Sequence, residues 1–244
     1  MVDLDLDKNL SMKDDLAQVD YIETSQPLNL IKQADQNTAI VLDFDETLLL
    51  RNSTAEYINS LRPRWLGLVL IVFLRAIKPW NWLPKPWQGD KVRDWFLVIT
   101  PTILLPWTFL LWRQKALTLA RKHGNSELLA AVEQNSNSPI IIASLGFNFV
   151  IQPILQHLPI NYSQLIGCRF WQGAGDRDQG KLAMMRLTLT EVEIKSAIVV
   201  TDSKDDLPLL QIVAHPCLVL WSDAKYVDPF SDFWLYTMLK RLKH

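Results

Sequence analysis

The amino-acid sequence predicts an α/β fold with a parallel sheet at its centre, and three observations support this prediction. First, short apolar strands alternate with helical segments from residue 139 onward, which is the pattern of βαβ units. Second, these strands are apolar along their whole length, as strands buried on both faces of a parallel sheet are. Third, polar residues directly follow several strands, where open α/β sheets bind their ligands.

The first strand is predicted over residues 38–43, where an apolar, β-branched run ends in Asp43. A second carboxylate, Asp45, follows two positions later. Alternate residues of an extended segment face the same side, so the two carboxylates can converge on one site. A turn or helix N-cap would explain the same residues, because Asp and Thr are common there. The pair alone leaves both interpretations open.

The later elements follow in order along the chain. Two short helices are predicted between Lys115 and Gln134, with a break near Gly124. The remaining apolar strands are predicted over residues 139–144, 165–169, 197–201 and 217–221. Helices are predicted over residues 147–157, 181–188 and 206–213. The segment 173–176 contains two glycines and is interpreted as a loop.

Both ends of the chain are predicted to lie outside this core. Residues 1–35 are interpreted as a mobile acidic arm, with a short helix near Leu16–Ile22. Residues 231–244 are predicted to form an amphipathic helix, because they combine aromatic and basic side chains. The acidic N-terminus is unlike a signal peptide, so we expect a protein that is not secreted.

Composition and charge indicate which kinds of metal site, disulfide and binding partner the protein can have. Four histidines and two cysteines show no spacing typical of a metal site or a disulfide. Both cysteines, Cys168 and Cys217, lie in apolar stretches, which indicates reduced and buried thiols. The net charge of −1 is segregated, because residues 1–23 sum to −5 and residues 51–122 to +9. We expect the basic segment to face anionic lipid head groups, and we expect no nucleic-acid partner.

Polar residues at the predicted strand ends form a set suited to phosphate chemistry. Asp43 and Asp45 follow the first strand, Ser144 ends the second, Asp202 follows the fourth, and Lys181 begins a helix. Hydrolysis of a phosphate ester needs a nucleophile, a proton donor, a hard cation and groups that hold the phosphoryl oxygens. Two carboxylates such as Asp43 and Asp202 suit Mg²⁺, which prefers oxygen ligands.

These residues resemble the four motifs of the haloacid dehalogenase (HAD) superfamily of phosphatases. The first motif is matched by the sequence DFDET at residues 43–47, the second by Ser144, the third by Lys181 and the fourth by TDSKDD at residues 201–206. The matches occur in the family's order and cover the predicted core. The resemblance implies a Rossmann-like parallel sheet of five strands in the order 5-4-1-2-3, with a helical cap inserted after the first strand.

The resemblance also implies a catalytic role for each matched residue. Asp43 would attack phosphorus and become an aspartyl-phosphate. Asp45 would protonate the leaving alcohol and then activate water. Ser144 and Lys181 would bind phosphoryl oxygens, and the Lys181 charge would offset the crowded carboxylates.

The same resemblance implies a magnesium site. Its ligands would be the Asp43 carboxylate, the main-chain carbonyl of Asp45, and Asp202. Asp206 would support the metal shell, with Asp205 as the alternative. Two residues depart from the usual motifs, because Glu46 and Thr201 each stand where many family members have glycine. The second departure puts the geometry of the metal site in question.

The predicted cap, residues 51–112, separates core segments 36–50 and 113–230 and has an unusual composition. Seven of the ten tryptophans lie between residues 65 and 112. Residues 95–112 contain no charged side chain. Eighteen residues reach the lower end of a membrane span of about 17–25 residues, but two prolines interrupt the run.

Topology limits how such a cap can meet a membrane. The first two strands pair in one sheet, so the insertion must leave and return on the same side of the bilayer. A hairpin of two crossings and a re-entrant cap embedded in the surface both meet this condition. Basic residues flank each apolar run, which favours an embedded cap at the cytoplasmic face, contacting lipid through residues 61–112. A buried hydrophobic cap or a dimer interface in a soluble enzyme is the alternative.

Within the superfamily, the cap and the sequence DSKDDLP at residues 202–208 are most similar to the HAD domains associated with UbiA-type membrane prenyltransferases. That likeness implies a polyprenyl or other lipid phosphate as the substrate. Two alternatives stay open. The chain can be a catalytically silent, membrane-anchored module that binds a partner, or a soluble phosphatase for a small metabolite such as phosphoserine.

Overall fold

The computed structural model describes residues 20–135 and 137–233. Within these residues, five parallel strands form one sheet in the order β3-β2-β1-β4-β5. This order is the predicted 5-4-1-2-3 read from the other edge, so the predicted fold class is confirmed. The strands are β1 (Ile40–Leu42), β2 (Ile140–Phe147), β3 (Gln164–Cys168), β4 (Ile198–Thr201) and β5 (His215–Leu218).

The central strand β1 is short and fully enclosed. Ile40 lies opposite Ile140 of β2 and Ile198 of β4, so β-branched side chains face each other along both ladders. All three residues of β1 are buried, which is the environment that a continuous apolar run indicates. Because the three strands are parallel and in register, their carboxyl ends lie at one edge of the sheet, next to Asp43.

Helices cover the sheet and build the cap. In chain order they are α1 (Ser25–Gln33), α2 (Ser53–Asn59), α3 (Arg64–Ile77), α4 (Arg93–Leu104), α5 (Trp107–His123), α6 (Ser126–Gln134), α7 (Asn148–Leu155), α8 (Gly173–Gln179), α9 (Lys181–Arg186), α10 (Glu191–Ser196) and α11 (Leu207–Leu210). Three 3₁₀ turns accompany them, at Pro79–Asn81, Asp90–Val92 and Lys204–Asp206.

Part of the predicted acidic arm is an ordered helix. Helix α1 packs on α6, with Ile31 fully buried. The Asn135 amide donates to the main-chain carbonyls of Ile31 and Ala34 and so closes the C-terminal end of α1. The predicted arm is therefore wrong for α1. Residues 1–19, with most of the helix predicted near Leu16–Ile22, and residues 234–244, with most of the predicted C-terminal helix, lie outside the described residues.

Two further helices were not predicted. Helix α8 occupies the segment interpreted as a loop, and its Gly173 serves packing, because a Cβ there would lie 3.0 Å from Trp95 and 3.1 Å from Phe147. Helix α10 begins with a capping box in which Thr190 and Glu193 satisfy each other's main-chain N–H groups. Its short length hides the apolar period that longer helices show.

The cap is formed by α2, α3, α4 and the first part of α5. The predicted boundary at residue 112 falls inside α5, which runs unbroken from the cap into the core. Trp112 is fully buried, and its indole N–H donates to the Val150 carbonyl of α7 at 2.9 Å. Its ring also meets Tyr57 of α2 edge to face, with the ring centroids 5.3 Å apart. Trp112 therefore joins cap and core.

Within the described residues, no single helix has the length and apolar character needed to cross a bilayer. Two successive helical segments, Asp90–Leu104 and Trp107–His123, reach that length and composition together, but the chain bends by 114° between them.

Candidate active site

A cavity of about 200 Å³ opens at the carboxyl edge of the sheet, beneath the cap. The six site residues predicted from the sequence all line it: Asp43, Asp45, Ser144, Lys181, Asp202 and Asp206. They come from four separate parts of the chain, and the parallel sheet brings those parts together.

Asp43 is held in place by a buried ion pair and by the sheet. Its main-chain N–H donates to the Val200 carbonyl of β4, which extends the ladder past the end of β1. The Lys181 ammonium donates to Asp43 Oδ1 at 2.7 Å and to Asp206 Oδ2 at 2.6 Å. All three residues are buried, so the single ammonium lies between two carboxylates in a poorly solvated site.

Burial and neighbouring charges have opposite effects on the pKa values of Lys181 and Asp43. Burial disfavours the Lys181 ammonium, but the charges of Asp43 and Asp206 outweigh that effect and raise the pKa of Lys181 above its ordinary value. Burial raises the pKa of Asp43, Lys181 opposes the shift, and the charges of Asp206 and Asp202 add to it. The lysine therefore keeps its charge, and it is the main group that favours an ionised Asp43.

Thr201 has a defined place in this site. It is fully buried, and its hydroxyl donates to Asp206 Oδ2 at 2.6 Å. The same hydroxyl accepts the Ser203 main-chain N–H at 3.2 Å. A glycine could make neither contact, so the side chain at this position stabilises the turn after β4. Direct metal binding by Asp206 stays a prediction; in the structure its Oδ2 is occupied by Lys181 and Thr201.

Asp45 lies at the other side of the cavity. The Ser53 main-chain N–H, at the start of α2, donates to its Oδ1 at 2.6 Å. Burial raises the pKa of Asp45 to about 7, against the lowering effect of the neighbouring Ser53. A carboxyl group with a pKa near neutrality can both give and take a proton at physiological pH.

Gly146 leaves room for two catalytic candidates. A Cβ at this position would lie 3.2 Å from Asp45 Oδ2 and 3.2 Å from Ser144 Oγ, and 2.9 Å from the Ile151 side chain. The Gly146 main-chain N–H donates to Ser144 Oγ at 3.0 Å and fixes that hydroxyl within β2. The absence of a side chain keeps Asp45 Oδ2 and Ser144 Oγ open to the cavity.

Asp202 faces the cavity from the end of β4. The Thr47 hydroxyl donates to its Oδ1 at 3.2 Å, and the Asn125 amide donates to the Thr47 carbonyl at 2.9 Å. Burial, followed by the charge of Glu46, raises the pKa of Asp202 above its ordinary value. The carboxylate is thus oriented by a chain of hydrogen bonds that reaches back to α6.

Two backbone conformations shape the cavity. Glu46 adopts a φ of 60°, in the left-handed region that favours glycine. This backbone conformation is the physical reason why glycine is common at the position in the family. For a residue with a side chain, such as Glu46, it costs about 1 kcal/mol. Gly180 has a φ of 85° and a ψ of 171°, a combination found almost only in glycine, and it directs Lys181 into the site.

Arg177 and Asp94 are site residues that the sequence did not reveal. Both line the cavity, and Arg177 Nη2 donates to Asp94 Oδ2 at 2.8 Å. Arg177 also donates to the carbonyl of Lys91 in the cap at 2.7 Å and to that of Leu145 in the core at 2.5 Å. A guanidinium can make such contacts in several directions at once. No motif identifies this arginine in the sequence. The one signal for it is its position four residues before Lys181, which is itself a predicted site residue.

The cavity contains an excess of negative charge. Seven carboxyl groups and two cationic side chains line it: Asp43, Asp45, Glu46, Asp94, Asp202, Asp205 and Asp206, against Lys181 and Arg177. No three carboxylate, imidazole or thiol groups of residues 20–135 and 137–233 form a ready metal cluster. The oxygen donors of Asp43 and Asp202 and the Asp45 carbonyl nevertheless suit Mg²⁺, whose charge would offset the excess.

The comparison with known families agrees with this geometry. The haloacid dehalogenase-like hydrolase family matches residues 40–211, which is more than half of the chain and runs from β1 to the end of α11. No curated protein matches the chain significantly. The matched span includes the strands β1 to β4, the cap and all six predicted site residues. The chain belongs to the haloacid dehalogenase-like hydrolases.

Proposed function

We propose that this hydrolase is an Mg²⁺-dependent phosphomonoesterase that works through an aspartyl-phosphate on Asp43. One observation carries the proposal: the Asp43 carboxylate is held at 2.7 Å by Lys181 in the same cavity as Asp45, whose Oδ1 accepts the Ser53 main-chain N–H at 2.6 Å. A nucleophile and an acid–base group with these properties are the parts that phosphoryl transfer in two steps requires.

In the first step, Asp43 attacks phosphorus while the bond from phosphorus to the ester oxygen breaks. Asp45 donates its proton to that oxygen, so the leaving group departs as a neutral alcohol. Ser144 and Lys181 donate hydrogen bonds to the phosphoryl oxygens. Mg²⁺, when bound by Asp43, Asp202 and the Asp45 carbonyl, supplies positive charge where negative charge develops.

In the second step, water attacks the phosphorus of the aspartyl-phosphate. The ionised Asp45 accepts a proton from this water, and the bond between phosphorus and the Asp43 oxygen breaks. Inorganic phosphate leaves, and Asp43 and Asp45 return to their initial states. The Ser53 hydrogen bond to Asp45 Oδ1 keeps Oδ2 available for both proton transfers.

The substrate that we propose is a lipid-linked or membrane-proximal phosphate, met at the cytoplasmic face of a membrane. The support is the apolar, tryptophan-rich and basic composition of residues 61–112. In a cavity of about 200 Å³ the head group alone would enter, and the apolar chain of the lipid would lie outside it. A polyprenyl phosphate, the substrate implied by the UbiA-associated likeness, meets this description.

A small soluble metabolite is the second candidate substrate. The cavity is small and its walls are mainly polar, which suits a compact charged ester such as phosphoserine. The two candidates separate in a comparison of kcat/KM for phosphoserine and for a farnesyl or dolichyl monophosphate in detergent micelles. A higher value for the lipid phosphate supports the membrane-proximal substrate, and a higher value for phosphoserine supports the soluble one.

The catalytic assignment is tested by the substitution Asp43→Asn. We expect it to abolish phosphate release from p-nitrophenyl phosphate with Mg²⁺, because the amide cannot form the phosphoenzyme. Asp223→Asn is the matched control, since Asp223 is exposed and does not line the cavity. Activity retained by Asp43→Asn rules out the nucleophile. An inactive wild-type protein that also forms no beryllofluoride adduct points instead to a silent module that binds a partner.

A further inference from the structure

Helix α3 carries a continuous apolar stripe on its outer face. Trp65, Val69, Phe73 and Ile77 are between 43% and 58% exposed. Residues four apart lie above one another on a helix, so the four side chains form one row. The opposite face of α3 packs into the cap through Gly67, Leu68, Ile71 and Leu74. The stripe is therefore additional to the packing that holds α3 in place.

Hydrogen bonds connect this stripe to apolar surface at both ends. At its start, the Trp107 indole N–H donates to the Arg62 carbonyl at 2.6 Å, which places the bend between α4 and α5 beside α3. At its end, the Trp82 indole N–H donates to the Ile77 carbonyl at 3.3 Å. We define the apolar band as the stripe with these flanking exposed residues: Trp65, Val69, Phe73, Ile77, Trp82, Ile103, Leu104, Trp107 and Leu110.

Positive charge borders the apolar band. Helix α3 contains no acidic residue. Arg62, Lys78, Lys85 and Arg113 are exposed, and none of them forms a salt bridge within the part of the chain that the structure describes. Two of the three acids of the cap, by contrast, are neutralised: Glu56 pairs with Lys115, and Asp94 pairs with Arg93 and Arg177. The third, Asp90, is exposed in the 3₁₀ turn Asp90–Val92. The band thus combines apolar surface with a basic rim.

We propose that the apolar band docks on the surface of an anionic lipid bilayer, with α3 in the plane of the interface. Apolar side chains would enter the boundary between head groups and acyl chains, and the basic rim would contact lipid phosphates. Trp65, Trp82 and Trp107 suit this depth, because indole rings favour the interface. The inference rests on the membrane-proximal substrate of the proposed function and names the partner and the face that meets it.

The cap packing favours surface docking over a crossing. The 14 residues of α3 span about 21 Å, which is less than the hydrocarbon core of about 30 Å. Helix α4 has Phe96, Leu97, Val98 and Ile99 buried inside the protein. Exposing them to lipid would remove the contacts that join the cap to the core. A bilayer therefore meets the outer face of the cap only.

The position of the band relates docking to catalysis. From Trp82 the chain continues to the 3₁₀ turn Asp90–Val92, where Arg177 Nε donates to the Lys91 carbonyl. Arg177 and the adjacent Asp94 line the catalytic cavity. A short stretch of chain therefore links the end of the band to the rim of the cavity, as the head group of a lipid substrate would require.

The test is binding of the full chain to sedimented vesicles made of equal parts phosphatidylcholine and phosphatidylglycerol. We expect binding that weakens with added salt and with vesicles of phosphatidylcholine alone. Phe73→Asp should weaken binding by about tenfold or more, because a charge replaces buried apolar area. Val192→Asp is the matched control, since Val192 is 76% exposed on α10 of the core and should not alter binding.

The outcomes separate docking from catalysis. Both variants should hydrolyse p-nitrophenyl phosphate like the wild type, because neither residue lines the cavity. If the wild-type protein hydrolyses this ester but does not bind anionic vesicles, the docking inference alone is overturned. Vesicle binding without any hydrolysis overturns the proposed function alone. A dimer in light scattering that Phe73→Asp dissociates overturns lipid as the occupant, because a second copy then covers the band.

Discussion

Lys181 is the residue on which the site depends most. Its ammonium lies within 2.7 Å of two buried carboxylates and is the one cation in contact with Asp43 among the described residues. A buried charge that loses its partner is costly, because the protein interior cannot solvate it as water does. Asp206 therefore also acts on Asp43 through the lysine, by fixing the position of the cation that both carboxylates share.

A double-mutant cycle tests this arrangement. Lys181→Met should lower the free energy of unfolding by about 3–5 kcal/mol, because it leaves two buried carboxylates without a cation. Asp206→Asn should cost less, about 1–3 kcal/mol, because the pair of Lys181 and Asp43 survives. The double variant should be less destabilised than the sum of the two, since the asparagine removes one of the orphaned charges. Urea unfolding measures all four proteins, and additive values would contradict the shared-lysine arrangement.

At the residue scale, the sequence predicted the positions of those polar side chains that lie at the ends of strands. That Asp43, Asp45, Ser144 and Asp202 line one cavity was predictable, because the carboxyl ends of parallel strands meet at one edge. Arg177 was not predictable, because its role depends on contacts with the distant carbonyls of Lys91 and Leu145. Sequence reasoning sees spacing along one element, whereas these contacts join three separate segments.

At the scale of elements, α8 and the start of α4 connect core and cap through hydrogen bonds. Arg177 of α8 joins Asp94 of α4 to the Leu145 carbonyl that follows Ser144. Beside it, the Trp95 indole N–H donates to the Phe170 carbonyl at 2.9 Å. These polar contacts add to the apolar packing of Trp112 and α4 in holding the cap at the rim of the cavity.

Arg177→Lys tests how far this contact holds the cap. A lysine cannot reach all three acceptors, so we expect about 1–3 kcal/mol of lost stability and faster amide exchange over residues 89–95. Arg186→Lys is the matched control, because the Arg186–Glu191 pair is exposed and such pairs contribute about 0–1 kcal/mol. Hydrogen exchange followed by mass spectrometry reports on both. Unchanged protection of residues 89–95 in Arg177→Lys would show that apolar contacts alone position the cap.

Strands were easier to predict than helices. Strands β1, β2 and β4 are apolar and rich in isoleucine and valine, so a short run identifies each one. Strand β5 has no such run, and it begins at His215, two residues before the predicted strand. Helix α1 was missed because its anchoring contact is the distant Asn135, and α8 because its glycines indicated a loop. The cap helices are apolar on more than one face, so the sequence could not show which face the protein buries and which it leaves exposed.

For the molecule as a whole, negative charge is concentrated in the cavity and positive charge in the cap. The cavity is acidic, with seven carboxyl groups against two cations, whereas the cap, residues 51–112, carries a net charge of +5. The acidic cavity would repel an anionic substrate unless a cation is present, and the basic cap would attract the same substrate or an anionic surface. A divalent cation in the cavity would offset its negative charge, so that both the cavity and the basic cap could attract the same anionic substrate.

Added Mg²⁺ should therefore stabilise the folded protein even without substrate. A cation at about 100 times its dissociation constant adds about 2.7 kcal/mol to the free energy of unfolding when it binds the folded state only. We expect Tm, measured by calorimetry, to rise with Mg²⁺ in the wild type and in Asp205→Asn. In Asp202→Asn the rise should disappear, because a proposed ligand is lost. A Tm increase that persists in Asp202→Asn but vanishes in Asp205→Asn would assign the metal to the other carboxylate.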